Sequence, residues 1–496
     1  MGREAQRRTS AAVGIRIDHS IAGARPGPRF AFHRCVRLTF DRGTLLLTEA
    51  PPTLDVGEIP GVQWDERVGA HRAPARLCYA IASELRRRGV PMADMPRPAL
   101  EPPAGFRPFE LRPYQEAALT AWRQAGRRGM VVLPTGSGKT RLALGAIAAT
   151  RTPALCLAPT RALCDQWATA LAAVWDGSIG RFGDGERMTG AVTIATYAGA
   201  YRHMSSLGDK FGLLIVDEAH HFGQGWRDEA LEMSIAPLRL GLTATPPGPG
   251  PAADRLASLV GPVVFERSIG DLAGRYLAPL ERVTWHLALD PDERREHDAL
   301  WETYRQARRA FEGNHLGATR ENSWEDFLHE AARTDEGRRG IAAWRRARRI
   351  LAFPRRKREA LALLLGHHRA QRTLVFVADN QTAYTVAREH LVMPLTCDIG
   401  RTERQDVLDR FRAGTLRALV SAQVLNEGID VPDAEVGIVV AGRMGEREHV
   451  QRVGRLLRPG PGKRALVYEL VVERSSEARQ AERRGQRLAI RARSTA

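Results

Sequence analysis

At 496 residues the chain is too long for one compact core, so about three domains are expected, and its 43% hydrophobic and 26% charged residues are ordinary for a globular protein. No stretch approaches the roughly 18 consecutive apolar residues of a membrane span, and no apolar run follows the basic N-terminus, which predicts a cytoplasmic protein without a membrane partner. A net charge of +17 favours a polyanionic partner, although an Arg-rich solubilising surface would give the same balance. The five scattered cysteines argue against a disulfide framework or a zinc site.

Composition and hydrophobic periodicity divide the chain into six segments. They are a flexible leader (1–30), an N-terminal α+β module (31–100), a first α/β domain (105–270), a charged helical insertion (285–355), a second α/β domain (356–473) and a basic tail (474–496). The predicted fold class is α/β, because both larger segments alternate apolar strands with helices, as parallel sheets do.

Individual elements can be placed within these segments. In the module, residues 35–40 and 44–48 form strands around a turn at 41–43, a helix follows at 74–88, and a proline-rich linker runs from 91 to 108. Strands of the first domain are expected at 130–133, 154–158, 191–196, 213–216 and 238–243. Those of the second domain are expected at 374–377, 418–421, 436–440 and 465–470.

A glycine-rich loop lies between an apolar strand and a helix at residues 133–140. Glycines at 136 and 138 allow backbone N–H groups to surround phosphates at a helix N-terminus. Lys139 is placed to reach the β- and γ-phosphates and Thr140 to bind Mg²⁺. A chance Gly-rich turn is the alternative, since Leu133 stands where the phosphate-loop pattern begins with Gly. The residues predicted to hold ATP here are Thr135, Gly136, Ser137, Gly138, Lys139 and Thr140.

Two adjacent carboxylates follow a buried strand of the same segment. A strand end in a parallel sheet lies beside a phosphate loop, so Asp217 is predicted to hold Mg²⁺. Glu218 is predicted to orient or deprotonate the attacking water. The alternative, a pair of solvated loop charges, does not explain their place at the end of an apolar strand.

The tetrad at 217–220, Asp-Glu-Ala-His, resembles motif II of superfamily 2 helicases, and further motifs follow in the order of that superfamily. Residues 111–115 resemble the Q-type motif, 158–163 motif Ia, 193–197 the next strand-contacting motif and 242–245 motif III. The resemblance implies that Gln115 contacts the adenine edge. It also implies DNA contacts by Pro159, Thr160, Arg161 and Thr196.

The second α/β segment carries the remaining motifs of that superfamily. Residues 373–377 look like motif IV, 420–432 like motif V and 451–458 like motif VI. The resemblance implies a DNA contact by Phe376. Many members carry a DNA-contacting Thr at the position of Ala422, and the neighbouring Ser421 is the candidate for that contact here. For the nucleotide it implies contacts by Gly428 and Asp430 and catalytic roles for Gln451, Arg455 and Arg458. The two arginines lie three residues apart on one helical face, although surface charges are the alternative for such a pair read alone.

Longer stretches resemble the XPB family of helicases, particularly its archaeal form. Residues 64–75, 235–245 and 424–432 carry this resemblance. It implies two RecA-like motor domains, an N-terminal module linked to sensing distorted DNA, and a thumb-like helical insertion. It further implies a 3'-5' DNA helicase or translocase that uses ATP and Mg²⁺ in DNA repair, with a structure-specific nuclease partner as in archaeal members. DNA junctions between single and double strands are the expected substrate.

One departure from the family lies just after motif III. The family carries an Arg-Glu-Asp tripeptide associated with strand separation, whereas residues 246–251 here read Pro-Pro-Gly-Pro-Gly-Pro. The ATPase chemistry is unaffected by this change, but weak intrinsic unwinding is expected. A double-strand DNA translocase and an ATPase switch, each within a repair or defence complex, therefore stay open beside the helicase. An RNA helicase fits the family resemblance less well.

A basic helix is predicted before the second domain. Residues 338–358 contain ten basic residues and no acid. At 100° per residue, Ala343, Trp344, Ala347, Ile350 and Leu351 share one face and the arginines at 345, 346, 348 and 349 the other. The candidates for DNA contact are Arg345 and Arg349, and the alternative is a solvated helix face over a buried tryptophan.

Overall fold

The computed structural model describes residues 35–183, 185–313, 324–396, 398–422, 434–441 and 464–481. It contains three β-sheets, one for each of the module and the two α/β domains. No helix of these ranges is both long and apolar enough to cross a bilayer.

The N-terminal module is a five-stranded sheet covered by one helix. Its elements are β1 Val36–Asp41, β2 Thr44–Thr48, β3 Gln63–Asp65, β4 Ala70–Pro74, α1 Cys78–Arg87 and β5 Met92–Asp94. The strand order is β3-β4-β2-β1-β5. Arg42 and Gly43 have φ of +49° and +99°, as the tight turn between two antiparallel strands requires. The predicted linker begins with β5, which pairs in parallel with β1, so the module extends into that proline-rich stretch.

The module rests on the first α/β domain. Ile235 of that domain belongs to the apolar core of the module. Arg76 Nε lies 2.5 Å from Glu232 Oε2 across the same contact. Gly208 is required there, because a Cβ at this position would lie 2.0 Å from the Met233 carbonyl oxygen and 2.7 Å from the ring of Phe40. The module is therefore packed on the first domain by apolar contact and by an ion pair.

The first α/β domain has an eight-stranded sheet in the order β13-β6-β12-β11-β7-β10-β8-β9, parallel except for the hairpin β8–β9. Its strands are β6 Arg128–Val132, β7 Ala154–Ala158, β8 Ile179–Gly183, β9 Glu186–Met188, β10 Val192–Thr196, β11 Leu213–Asp217, β12 Leu238–Thr243 and β13 Val263–Glu266. Its helices are α2 Pro113–Gln124, α3 Lys139–Thr150, α4 Arg161–Ala172, α5 Tyr197–Leu207, α6 Glu229–Glu232, α7 Pro251–Leu259 and α8 Ile269–Leu272. The central strands are continuous apolar runs because helices cover both faces of the sheet.

The second α/β domain has a six-stranded sheet in the order β14-β19-β18-β15-β17-β16, with every described pairing parallel. Its strands are β14 Leu280–Leu287, β15 Thr373–Phe376, β16 Met393–Pro394, β17 Ala418–Ser421, β18 Val436–Val439 and β19 Ala465–Val472. The helices of this part of the chain are α9 Pro291–Gly313, α10 Trp324–Ala331, α11 Asp335–Ala352, α12 Arg355–His367, α13 Asn380–His390 and α14 Arg401–Arg412.

Strand β14 changes the predicted boundary of the insertion. Residues 285–287, which the sequence pattern places in the helical insertion, belong to a strand that pairs with β19 over its whole length. The sheet of the second domain therefore begins before α9, and the helices α9, α10 and α11 are inserted into that domain. The strand lies at the sheet edge, where exposed polar residues interrupt the apolar run by which a buried strand is predicted.

The insertion is built around the contact between α9 and α11. A Cβ on Gly340 would lie 2.3 Å from the Cβ of Ala307, so the two helices approach closely at this glycine. In α11, Ala343, Ala347 and Leu351 are buried, whereas Arg345 and Arg349 are exposed. The predicted division of this helix into an apolar and a basic face is confirmed.

The predicted basic tail starts within the folded second domain. The Ser475 side chain is buried and its hydroxyl donates to the Val472 carbonyl oxygen over 2.6 Å. Glu477 accepts a hydrogen bond from the buried Lys357 ammonium over 2.8 Å. Residues 475–481 therefore belong to the folded second domain, because these contacts fasten them to the end of β19 and to α12.

Candidate nucleotide site and DNA-contacting edge

The predicted site residues of the first domain lie at one edge of its sheet. The five central strands are ordered β6-β12-β11-β7-β10, and all run in parallel. The phosphate loop follows β6, Asp217 ends β11, Thr160 follows β7 and Thr196 ends β10. The carboxyl ends of parallel strands form the edge at which such sheets bind ligands, so topology brings these residues together.

The phosphate loop has the backbone shape that a bound phosphate requires. Gly136 and Gly138 have φ of +81° and +80°, a region that favours glycine, and α3 begins at the next residue, Lys139. Ser137 is buried, and its hydroxyl donates to the Pro134 carbonyl oxygen over 2.7 Å. The Tyr114 hydroxyl donates to the carbonyl oxygen of Ser137 and holds the loop from outside.

Gln115 does not fit its predicted contact with adenine. Its Nε2 donates to the carbonyl oxygens of Ser137 and Gly138 over 2.9 and 3.1 Å, and its Oε1 accepts from the Arg112 backbone N–H over 2.9 Å. The side chain is only 1% exposed. Both ends of the amide are therefore used within the protein, where they tie the N-terminus of α2 to the phosphate loop.

Lys139 and Glu218 face each other across the loop. Lys139 Nζ lies 3.3 Å from the Leu133 carbonyl oxygen and 4.0 Å from Glu218 Oε1. Glu218 has a φ of +49°, unusual for a residue other than Gly, and the Tyr197 hydroxyl donates to its carbonyl oxygen over 3.2 Å. Its Oε2 lies 3.5 Å from Nδ1 of His220, which also contacts the Thr243 hydroxyl at 3.0 Å. The carboxylate is thus held between a cation and a histidine.

Asp217 is a buried carboxylate that has one side-chain hydrogen-bond donor among the described residues. The indole N–H of Trp167 donates to its Oδ2 over 2.8 Å, and Oδ1 accepts from the Glu218 backbone N–H over 3.0 Å. Burial is the largest cause that raises the pKa of Asp217, to about 6, and the neighbouring Glu218 charge raises it further. Lys139 and the Trp167 hydrogen bond act in the opposite direction. A bound cation would stabilise the charged form.

These residues fit a nucleotide with Mg²⁺. Within the described residues, the buried hydroxyl of Thr135 has no hydrogen-bond partner, and neither has Glu218 Oε2. Buried polar groups without partners are rare, and a ligand in the loop would satisfy them. Asp217 and Thr140 would hold the metal through oxygen atoms, which Mg²⁺ prefers.

The predicted DNA contacts of the first domain lie at two helix N-termini on the same edge. The Thr160 hydroxyl caps α4 by accepting from the Leu163 N–H over 3.3 Å. The Thr196 hydroxyl caps α5 by accepting from the Gly199 N–H over 3.0 Å. Pro159 and Arg161 are half-buried beside the first cap. Helix N-termini present backbone N–H groups, which suit DNA phosphates.

Two predicted DNA contacts of the second domain do not reach its surface. Phe376 and Ser421 are each 1% exposed, and Phe376 packs in the apolar core. Both residues end interior strands of the sheet, and both side chains are buried. Their predicted side-chain contacts with DNA are therefore wrong, whereas Arg345 and Arg349 are exposed as expected.

Several predicted site residues lie outside the described residues. They are Gly428, Asp430, Gln451, Arg455 and Arg458, and their roles stay predictions. No sequence pattern singles out Trp167, because its position in α4 fits the apolar face of that helix. Only the tertiary structure places its indole N–H against Asp217.

Three family models match the chain. They are the xeroderma pigmentosum group B helicase damage recognition domain over residues 38–95, the type III restriction enzyme res subunit over residues 108–248, and the helicase conserved C-terminal domain over residues 356–460.

Known proteins align over most of its length. The DNA 3'-5' translocase XPB2 of Sulfurisphaera tokodaii is 31% identical, over 86% of this chain and 96% of the relative. The DNA 3'-5' helicase XPB of Mycobacterium tuberculosis is 29% identical, over 77% of this chain and 64% of the relative. The XPB2 subunit of the general transcription and DNA repair factor IIH of Arabidopsis thaliana is 26% identical, over 70% of this chain and 43% of the relative. The chain belongs to the XPB family of DNA helicases and translocases.

Proposed function

We propose that the protein is an ATP-dependent 3'-5' DNA translocase with weak strand-separating activity of its own. The observation that carries this proposal is the shared edge of the first sheet. There the phosphate loop, Asp217 and Glu218 stand beside the N-termini of α4 and α5. One rigid layer therefore joins a site for ATP to a surface for phosphates of DNA. The family members named translocases and helicases support the same activity.

The residues of the first domain divide the work of hydrolysis. When bound, the nucleotide would supply the phosphoryl group, and the metal ion would neutralise part of its charge. Lys139 would neutralise charge on the phosphate oxygens, and Asp217 and Thr140 would hold the metal. Glu218 orients the attacking water and accepts its proton, for which its side chain is placed between Lys139 and His220.

The second domain completes the site when the two domains close. Arg455 and Arg458 are proposed to contact the γ-phosphate, because guanidinium groups stabilise the charge that develops during transfer. Repeated closing and opening on a DNA strand held at the first-domain edge gives movement along that strand. Gln451 is proposed to assist in the same motif.

Strand separation is the weaker part of the activity. In the loop after β12, residues 246–250 are all proline or glycine, and α7 begins at the next residue, Pro251. This loop offers neither a cation nor a carboxylate to compete with base stacking. A structure-specific nuclease partner, as in archaeal members, is proposed to act with the motor in DNA repair, within the cytoplasm.

The test compares ATP hydrolysis with single-stranded DNA, duplex DNA, forked DNA and RNA. We expect strong stimulation by DNA and little by RNA. Displacement of a triplex-forming strand, measured in parallel, reports translocation, and gel analysis of a 3'-tailed duplex reports unwinding. Hydrolysis that DNA does not stimulate would overturn the proposal. Stimulation without triplex displacement would instead support the ATPase switch.

A further inference from the structure

A cavity of about 260 Å³ lies between the inserted helices and the second domain. Its lining includes Trp301 of α9, Trp344, Arg345 and Arg349 of α11, and residues that follow strands of the second sheet. We propose that this cavity binds one nucleotide of a DNA strand, with the base against the indoles and the phosphate on the arginines. The inference rests on the proposed function, because it assigns a binding site for the DNA on which the motor moves.

The cavity lies beside the second sheet, at the ends of two of its strands. Ala378 follows β15 and Ala441 follows β18, and both line the cavity. After β15, the next two strands of the chain, β16 and β17, lie on one side of β15 in the sheet. The following strands, β18 and β19, lie on its other side. The crevice between β15 and β18 is therefore the topological switch point of the sheet, where open α/β sheets bind their ligands at the carboxyl ends of the strands.

The charges around the cavity also support the proposal. Asp379 is used as the N-cap of α13, where its Oδ1 accepts from the Thr382 N–H over 2.8 Å and from the Thr382 hydroxyl over 2.9 Å. Glu477 is paired with Lys357. The two acids of the lining are thus satisfied by their own neighbours.

Arg345 and Arg349 of the lining differ from two other arginines of their helix, which are paired with carboxylates. Arg346 forms a salt bridge of 2.6 Å with Glu296, and Arg338 one with Asp335. Among the described residues, no carboxylate forms a salt bridge with Arg345 or Arg349, although both are exposed. These two cations are consequently available to a phosphate group, which guanidinium binds through paired hydrogen bonds.

The aromatic side chains support the proposal as well. Trp344 carries the Arg348 guanidinium 4.8 Å from its ring centroid, and Trp301 is stacked on His297 at 6.0 Å and 11°. Each contact orders an indole beside the cavity. Bases of single strands stack on ordered aromatic rings irrespective of sequence, as a motor that moves along DNA requires.

The volume argues against a large protein element as the ligand. Pockets that enclose whole drug-sized molecules begin at about 300 Å³, so a cavity of about 260 Å³ is too small for the helix of a protein partner. An acidic peptide could place one carboxylate on the arginines but would leave the indoles without a stacking partner. DNA uses both kinds of group.

The experiment walks a single abasic site along a fluorescein-labelled oligothymidine and measures Kd by anisotropy. For the wild-type protein we expect one abasic position to weaken binding about 10-fold, since one stacked base is lost. Trp344→Ala should weaken binding of the intact oligonucleotide by the same factor. For this variant, the oligonucleotide with the abasic site at that position should bind as tightly as the intact one. Arg349→Ala should weaken binding of both the intact and the abasic oligonucleotide. It should also reduce the dependence of the binding constant on salt concentration by about one phosphate contact.

Two variants provide the controls. Trp226→Ala removes an indole of the first domain that is 52% exposed, and it should leave the abasic profile unchanged. Trp344→Phe keeps an aromatic ring, so binding of this variant should still be weakened by the abasic site. Thermal denaturation reports whether Trp344→Ala folds, and Trp344→Phe tests the inference if it does not.

The outcomes separate the inference from the proposed function. A wild-type protein that binds no DNA would refute the proposed function. Wild-type binding that is equally tight at every abasic position, or an abasic profile that Trp344→Ala leaves intact, would refute the cavity alone. Displacement of the oligonucleotide by polyglutamate more readily than by unlabelled DNA would assign the cavity to an acidic protein partner instead.

Discussion

The indole N–H of Trp167 donates to the buried carboxylate of Asp217 over 2.8 Å. Trp167 lies two turns into α4, whose first turn is capped by Thr160 at the DNA-contacting edge. One helix thus contacts a predicted DNA site at its start and the predicted metal ligand in its middle. A DNA strand that displaces the start of α4 would change the position of the Asp217 carboxylate.

Trp167→Phe is expected to weaken the use of Mg²⁺. Removal of a group that hydrogen-bonds a metal ligand typically lowers metal affinity by roughly 10–100-fold, so the Mg²⁺ concentration for half-saturation should rise roughly 10-fold or more. Binding of a fluorescent ATP analogue, titrated with Mg²⁺, measures this. Trp175→Phe is the matched control, because the Trp175 indole N–H donates at the same 2.8 Å distance to the Ala104 carbonyl oxygen. Equal Mg²⁺ titrations for both variants would contradict the prediction.

The same carboxylate predicts how Mg²⁺ affinity depends on pH. The pKa of Asp217 is raised to about 6, mainly by burial, so below that pH a proton competes with the metal. Affinity for Mg²⁺ should be constant above this value and fall as the pH decreases through it. Since the Trp167 hydrogen bond lowers the pKa, Trp167→Phe should move the transition to higher pH. A transition at the same pH in both proteins would argue against this coupling.

Glu218→Gln is expected to bind ATP and fail to hydrolyse it. The amide preserves the shape of the side chain but cannot accept the proton of water, which should lower turnover by roughly 10²–10⁴-fold. Lys139→Ala is the contrasting variant, since it should lose nucleotide binding itself. Equilibrium binding and single-turnover hydrolysis separate the two effects. Hydrolysis by Glu218→Gln at the wild-type rate would show that another group is the general base.

Arg455→Ala and Arg458→Ala are expected to depress turnover more than nucleotide affinity. A guanidinium that acts on the transition state contributes roughly 10³–10⁵ to the rate in comparable NTPases. Measurement of kcat beside the Kd for ATP tests each variant. Parallel losses in both quantities would indicate that the arginine only binds the ground state.

A charged loop after β12 is expected to raise unwinding. Gly250 has a φ of +142° and should be kept, whereas Gly248 faces open space, so Arg-Glu-Asp is best placed at 247–249. Such a wedge competes with stacking of about 1.4 kcal/mol per step. Unwinding of a 3'-tailed duplex should increase more than ATP turnover, and a Ser-Ser-Ser loop at 247–249 is the control. Efficient unwinding by the unmodified protein would place the wedge elsewhere.

The buried strands of both motor domains could be predicted from sequence, because strands covered on both faces are continuous apolar runs. Strands β7, β12 and β17 have their predicted bounds. Edge strand β14 escaped prediction, since Glu281, Arg282 and His286 interrupt its apolar pattern. Periodicity alone does not distinguish such a strand from a loop.

The site could be predicted only where local sequence fixes its geometry. The phosphate loop needs particular residues at particular backbone angles, so its pattern identifies it. Gln115 and Trp167 depend on partners 22 and 50 residues away, respectively. Motif resemblance predicted an adenine contact for Gln115, which its hydrogen bonds do not fit. It predicted no role for Trp167.

The place of β14 determines how the inserted helices move. Asp290, just before α9, lies 3.1 Å from Arg356 Nε, just after the start of α12, and Glu293 accepts from the Arg355 N–H over 3.0 Å. These contacts fasten the two ends of the insertion to each other, and β14 and α12 join them to the second domain, so the insertion should turn with that domain as a lever arm. Helix α9 has 23 residues and is about 35 Å long, and a turn of about 10° carries its far end on the order of 6 Å. That travel approaches two nucleotide steps of about 3.4 Å along one strand.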